Sequence, residues 1–282
     1  MKSVLKKIKR KIWDDFLGLN PYAGRTKLNI TDEFENYVPA SAGKYKPLSR
    51  QTINEIKIFP KIFTELLNNI GFNFEVTPLN EFITENDNKN AQIISNLFNK
   101  HGSDKAKTHG YDLIYSKIFN SMDINEDGSI LEIGLGTNNK EILSNMNGLG
   151  KPGGSLKALR DFFPNKFIYG ADIDREILIE DDRIKCFYLD QLNFKTFQEL
   201  DLNIKENLDL IIDDGLHSVL ANMNTLKFGL KKIKKGGFIV IEDINRKQLP
   251  LWKLIGTVLN ISLDKKLIET FNKKHFVFLV KK

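Results

Sequence analysis

From about residue 91 the chain alternates helical spacing with short, dense apolar runs. AQIISNLFNK and YDLIYSKIFNSM repeat apolar positions at steps of three and four, which predicts helices. GSILEIGLG, KFIYGADID, RIKCFYLDQ, LDLIIDDG and GGFIVIEDI have the length and β-branched or aromatic content of strands. Between them SLKALRDFF, FKTFQEL and VLANMNTLKFGLKKIKKGG return to helical spacing. Alternation of this kind predicts parallel βαβ units with right-handed crossovers. KKLIETFN and HFVFLVKK end the chain as two strands with almost no helix between them, which predicts an antiparallel pair at the sheet edge. The expected fold class is α/β: a Rossmann-like, mostly parallel, doubly wound seven-stranded sheet with an antiparallel last strand.

The first 90 residues read differently. SRQTINEIKIFPKIFTELLNNIG is helical with an interruption at Pro60, and TENDNKNAQ is a polar joint. The expected organisation is an N-terminal helical and irregular auxiliary region over 1–90 and a sheet domain over 91–282. With 282 residues, 41% hydrophobic and 28% charged, the chain reads as globular and soluble. The one cysteine, Cys186, allows no internal disulfide and fits a reducing compartment. No apolar run reaches the roughly 18 residues of a membrane span, and no secretory signal is present, so the expected address is cytoplasmic. Charge adds one feature. Within residues 1–19, six cations against two acids carry +4 of the net +6. Apolar residues recur there at helical spacing, giving a basic amphipathic arm suited to an anionic membrane surface or nucleic acid. Docking on its own subunit or a neighbour is the preferred alternative.

Ligands of doubly wound sheets sit beyond the carboxyl ends of the strands. Gly134 and Gly136 follow the first strand and let backbone approach a ligand, but Asn139 stands where a dinucleotide fingerprint has its third glycine. Glu132 at that strand end suits an ammonium better than a phosphate. Asp172 at the end of KFIYGAD can accept both hydroxyls of a ribose. Asp190 can accept from an adenine amino group, with Gln191 beside it. Helix-cap or turn roles compete at each position. Taken in order, these strand ends predict S-adenosylmethionine (SAM) as the cofactor and the class I methyltransferase architecture.

HGSDKAKTHGY, LEIGLG, GGSLKALRDFFP, YGADID, LDQ, IDDGLHS and GGFIVIEDI together resemble the metal-dependent sugar O-methyltransferases. These act on macrolide and tetracenomycin deoxysugars, with relatives serving bacterial capsule and surface polysaccharides. The resemblance covers roughly residues 98–247. It departs in the N-terminal region and in TNNKEILSNMNGLGKP, an insert after the glycine motif. It implies a Mg²⁺ ion held by Asp214, Glu242 and Asp243, a sugar or nucleotide-sugar substrate, and a homo-oligomer. Independently, the step of 28 residues from Asp214 to Glu242 is one βαβ unit, so the two strand ends should adjoin. Several carboxylates at one edge and no cysteine suit a hard divalent cation. Asp213 is left facing the cofactor or a backbone donor. Catalysis is expected to use Asp214 through the metal and His217 as general base, with a helix-capping role the alternative for His217. His275 reads as structural. His101 and His109 flank the GSDK segment that the family places over the cofactor, and also read as ordinary loop residues.

Three other readings compete with this one. An NAD-dependent reductase is disfavoured by the missing third glycine. A nucleic-acid methyltransferase is disfavoured because DDGL stands where base N-methylation has an Asn/Asp-Pro-Pro-aromatic turn. A SAM-binding or membrane-surface scaffold ranks last because all the expected polar residues are present.

Overall fold

The computed structural model describes residues 49–259 and 262–282, so the basic arm of residues 1–19 lies outside the described residues. The chain divides into two units, Met1–Phe63 and Thr64–Lys282. Helix α1 (Ser49–Asn69) runs through Pro60 rather than stopping at it. A proline removes one backbone donor, and here the helical pattern on both sides outweighs that loss. Next come strand β1 (Val76–Thr77), helix α2 (Leu79–Phe82) and helix α3 (Glu85–His101). The stretch expected to be a polar joint is the start of α3. Thr84 caps it, accepting from the Asp87 amide, while the Asp87 carboxylate accepts from the Thr84 amide at 2.8 Å. The second unit thus includes residues 64–90, and α3 crosses the boundary expected at residue 90.

Helix α4 (Tyr111–Phe119) precedes β2 (Gly128–Ile133), α5 (Gly154–Phe162) and β3 (Lys166–Asp172). The short β4 (Glu180–Asp181) leads to β5 (Ile184–Tyr188), α6 (Phe194–Asn203), β6 (Leu208–Asp213) and α7 (Val219–Lys232). Then follow β7 (Ile233–Asn245), α8 (Leu249–Val258), β8 (Asp264–Glu269) and β9 (His275–Lys281). The sheet order is β1-β8-β9-β7-β6-β2-β3-β5-β4. Seven of these strands are the expected ones, and β1 and β4 are two-residue additions. β9 is antiparallel to both β7 and β8. The expected antiparallel pair is present, but β9 lies inside the sheet, because its run Phe276–Val280 is buried.

Helices cover both faces, which is why the central strands are continuous apolar runs rather than alternating ones. On one face Phe98, Tyr115 and Leu159 pack on Ile130, Ile168, Leu210 and Val240. On the other, Phe197, Leu226 and Trp252 pack on Leu131, Ile211, Ile239 and Phe278. Each such side chain contributes about 1.5–3 kcal/mol on burial. The strand order reverses at β2, between β6 and β3, and a cleft beyond the strand ends opens there.

Candidate active site

Three strand ends are aligned by the ladder. Ile133 of β2 pairs with Asp213 of β6, and Asp213 pairs with Ile241 of β7. Asp214 and Glu242 therefore follow side by side, as the 28-residue step predicts. Strand geometry would send Glu242 and Asp243 to opposite faces. A register shift between Ile241 and Ile244 breaks that alternation, and Asp243 takes a left-handed φ of +53°. His217 is also left-handed, at +54°. Of the six described non-glycine residues with positive φ, Ser144, Asn147, His217 and Asp243 line the cleft. Such conformations cost about 1–3 kcal/mol each and concentrate at functional sites.

The cleft encloses about 250 Å³. Its walls are the 103–111 segment, Gly134–Gly136, part of the insert at 144–151, and Asp214, His217 and Asp243. His217 Nε2 lies 3.9 Å from Asp214 Oδ1 and 3.7 Å from Asp243 Oδ2. Ligand atoms of Asp214, His217 and Asp243 all fall within 4.8 Å of one another, a spacing that could hold a cation. The cap of α7 is Ser218, whose hydroxyl accepts from the Ala221 amide, so His217 is not the capping residue. His109 and His275 reach the same carboxylate, with Nδ1 atoms 3.5 and 3.3 Å from Asp243 Oδ1. His275 thus faces a site carboxylate. His101 pairs instead with Asp161 at 2.7 Å and does not line the cleft.

Beneath the cleft lies a charged cluster. The Lys105 ammonium is buried, 2.6 Å from Asp214 Oδ2, 2.5 Å from Glu242 Oε2 and 3.2 Å from Glu132 Oε1. Tyr115 donates to the other oxygen of Glu242, and Tyr111 donates to Asp243 Oδ1 at 2.5 Å. Both Glu132 oxygens are buried, and the Lys105 ammonium is the cation that faces them. Burial works against the Lys105 charge, but Asp214, Glu242 and Glu132 hold its pKa well above the ordinary value. Burial likewise pushes the Glu242 carboxyl well up, against the pull of Lys105, and raises Glu132. Burial would also raise Asp243, yet His217, the Tyr111 hydroxyl, His109 and His275 keep it below the ordinary carboxylate range.

No protein-family model matches the chain. It is 25% identical over 167 residues to 8-demethyl-8-alpha-L-rhamnosyl tetracenomycin-C 2'-O-methyltransferase of Streptomyces olivaceus, covering 59% of this chain and 42% of that relative. To demethylmacrocin O-methyltransferase of Streptomyces fradiae it is 33% identical over 124 residues, covering 43% of this chain and 28% of the relative. The matched segment is thus less than half of either relative. The crystal structure of the MycE methyltransferase from the mycinamycin biosynthetic pathway, in complex with Mg, SAH and mycinamycin VI, superposes with a TM-score of 0.53. That match is 23% identical and covers 67% of this chain and 54% of the other. The chain has the class I methyltransferase fold. The resemblance to sugar O-methyltransferases read from the motifs is found again in these relatives.

Within this methyltransferase fold the expected cofactor residues divide into two groups. Glu132 is fully buried behind the cleft wall, with its Oε1 3.2 Å from the Lys105 ammonium. Asp172 accepts from the Leu135 amide at 2.7 Å and the Asp174 amide at 2.8 Å, tying the glycine loop to the β3 end. Burial raises its pKa. Asp190 accepts from the Leu192 amide at 2.9 Å, a turn role. Gln191 has its whole amide engaged: Nε2 donates to Asp213 Oδ1 and Thr225 Oγ1, and Oε1 accepts from the Leu216 amide. Asp213 also accepts from Asn222 at 3.1 Å and from the Gly215 amide at 3.3 Å. Of the two options left open for Asp213, the backbone donor is therefore present. Gln191 and Asp213 brace the turn that carries Asp214 and His217. Gly134 and Gly136 line the cleft and also lie close against other parts of the chain. A Cβ on Gly134 would meet the Asp214 carbonyl at 2.0 Å, and one on Gly136 would meet Met146 Sδ at 2.5 Å. Their missing side chains admit neighbouring protein.

Lys105, Tyr111 and Tyr115 were not singled out from sequence. The available signals were the lysine within HGSDK and two tyrosines four apart on one helix. The insert is built as a compact loop. The Met146 amide donates to the Thr137 carbonyl, Asn138 bonds to Gly148 and Gly150, and Ser144 donates to the Leu216 carbonyl.

Proposed function

We propose that the chain is a SAM-dependent, divalent-metal-dependent O-methyltransferase acting on a sugar hydroxyl. One observation carries the reading: Asp214, His217 and Asp243 gather at one cleft beyond the strand ends, where Lys105 in the wall reaches down to the buried Glu132. The names of the similar proteins support it, since one relative methylates a rhamnosyl group and the MycE complex holds Mg and SAH. SAM would sit with its ammonium on Glu132 and its ribose toward Asp172, and would supply a methyl group on a sulfonium. A divalent cation would be held by the hard oxygens of Asp214 and Asp243, with Glu242 behind them, and would supply Lewis acidity to a neighbouring hydroxyl. His217 is the base. Its Nε2, 3.9 Å from Asp214 Oδ1 and 3.7 Å from Asp243 Oδ2, would accept the proton that the sugar hydroxyl gives up as its oxygen receives the methyl group. Gln191 and Asp213 orient it by bracing its turn. The acceptor is proposed to be a nucleotide-linked sugar or one destined for a bacterial capsule or surface polysaccharide, and the working assembly a homo-oligomer.

The test is calorimetric titration with S-adenosylhomocysteine and Mg²⁺, followed by turnover with SAM against a panel of nucleotide sugars and rhamnosides. Cofactor binding that Glu132→Gln abolishes, with turnover that EDTA stops, is the expected result. NADH binding more tightly than SAM, or a rate indifferent to EDTA, overturns the reading.

A further inference from the structure

We propose that Lys105 is a built-in counter-cation for the metal carboxylates, and that a divalent metal binds by displacing its ammonium toward Glu132. This rests on the metal-dependent reading above. One ammonium serves three carboxylates within 3.2 Å, and all but Asp214 are fully buried with it. One ammonium facing three carboxylates leaves the cluster short of positive charge, and a divalent ion would supply it. Lysine and metal cannot share the same oxygens. Mg²⁺ holds its ligands at about 2.0–2.1 Å, and a second cation against those oxygens would be repelled at close range. Both oxygens of Glu242 are spoken for, one by Lys105 and one by Tyr115. Glu242 can therefore become a ligand only when one of them lets go. Tyr115 lies fully buried in the apolar layer between Phe98 and Phe119. Lys105 is on a four-carbon stem with rotatable donors, and has somewhere to go. Glu132 is buried, and its Oε1 already lies 3.2 Å from the ammonium. Lys105 is thus a positioning residue: without metal it keeps Asp214 and Glu242 together, and with metal it keeps only Glu132 Oε1, leaving Oε2 to the cofactor's ammonium.

The experiment titrates Mg²⁺ and Mn²⁺ into the full chain, stripped of metal and free of SAM, for wild type, Lys105→Met and Lys105→Arg. Removing a competing charge from buried carboxylates should tighten divalent binding about tenfold or more in Lys105→Met. Lys105→Arg keeps the charge and should bind no more tightly than wild type. In EDTA the Lys105→Met protein should melt below wild type, and Mg²⁺ should raise its Tm by more. If Lys105→Met does not fold without metal, Lys105→Gln, which still donates a hydrogen bond, carries the same comparison. Wild-type binding with no gain in either neutral variant overturns the counter-cation role and leaves the metal reading standing. No binding by any form overturns the metal reading and this inference together.

Discussion

Gly134→Ala tests how the strand ends are held together. Gly134 has a φ of +91°, and an alanine Cβ there would sit 2.0 Å from the Asp214 carbonyl oxygen and 2.4 Å from its carbon. Two costs arise. Backbone strain for a residue with a side chain in this region is about 1–3 kcal/mol. The clash adds about 1–3 kcal/mol of overpacking. That second cost is hard to relieve, because the obstacle is backbone, and the Asp214 amide is tied to the Ile133 carbonyl at 2.8 Å. The total is about 2–6 kcal/mol. Gly148→Ala separates the two. Gly148 has a φ of +82° with nothing within 4 Å of an added Cβ, so only the strain, about 1–3 kcal/mol, should appear. Urea unfolding of both variants gives the difference from midpoints at unchanged slope. A Gly134→Ala loss no greater than that of Gly148→Ala refutes the close-approach argument. Any folded Gly134→Ala protein should also bind Mg²⁺ more weakly, because the Asp214 turn must shift.

Four further outcomes follow from individual contacts. Burial works to raise the Asp87 carboxyl, but bonds from the Thr84 hydroxyl and amide and from Asn120 hold it below its ordinary value. Asp87→Asn should therefore cost about 1–2 kcal/mol at neutral pH, and the gap to wild type should close in urea titrations as pH falls below about 4 through the depressed native value. Burial pushes the Cys186 thiol up to about 11; at pH 8 its reaction with Ellman's reagent should be about 100-fold slower in the native than in the urea-unfolded chain, and equal rates would refute the shift. Gln191→Leu removes a donor to buried Asp213 and the acceptor of the Leu216 amide, and should cost about 1–3 kcal/mol per orphaned group by chemical denaturation. His217→Ala should retain Mg²⁺ and SAM affinity and lose turnover about 10²–10⁴-fold, with residual rate rising with pH; wild-type turnover would remove His217 as the base.

Much of this arrangement was readable from sequence because burial on both faces writes central strands as unbroken apolar runs. An acid at the end of such a run marks the sheet edge, and this places Glu132, Asp172, Asp214 and Glu242 at the strand ends. Position along a strand does not say which face a side chain takes beyond its end. Asp213 and Gln191 were thus placed at the right edge, while their inward bonds to α7 were not foreseen. Lys105, Tyr111 and Tyr115 meet Asp214, Glu242 and Asp243 across 109 to 137 residues of sequence, through the docking of α3 and α4 on the sheet. No local pattern encodes that distance. The start of α3 was a different kind of miss, since Thr84 and Asp87 form a capping box visible in the sequence as Thr-x-x-Asp.

The cleft depends on breaking the regularity that builds the sheet. In an unbroken strand adjacent acids point to opposite faces, and neither Asp213–Asp214 nor Glu242–Asp243 could concentrate charge. The register shift in β7 and the left-handed Asp243 gather the second pair toward the cleft. The first pair keeps its alternation and uses it: Asp213 turns inward to Gln191 and Asn222, and Asp214 turns outward to Lys105 and His217. One aspartate therefore anchors the turn while its neighbour faces the cleft. The strain at His217 and Asp243 is offset by that bracing and by the Tyr111 hydroxyl, which donates to the Asp243 carboxylate and accepts from its amide. A substitution that loosens the brace, such as Gln191→Leu, should thus relax His217 before it unfolds the sheet. Its turnover should fall at urea concentrations where the far-ultraviolet signal is still native, and coincident loss of both would tie the turn to global stability instead.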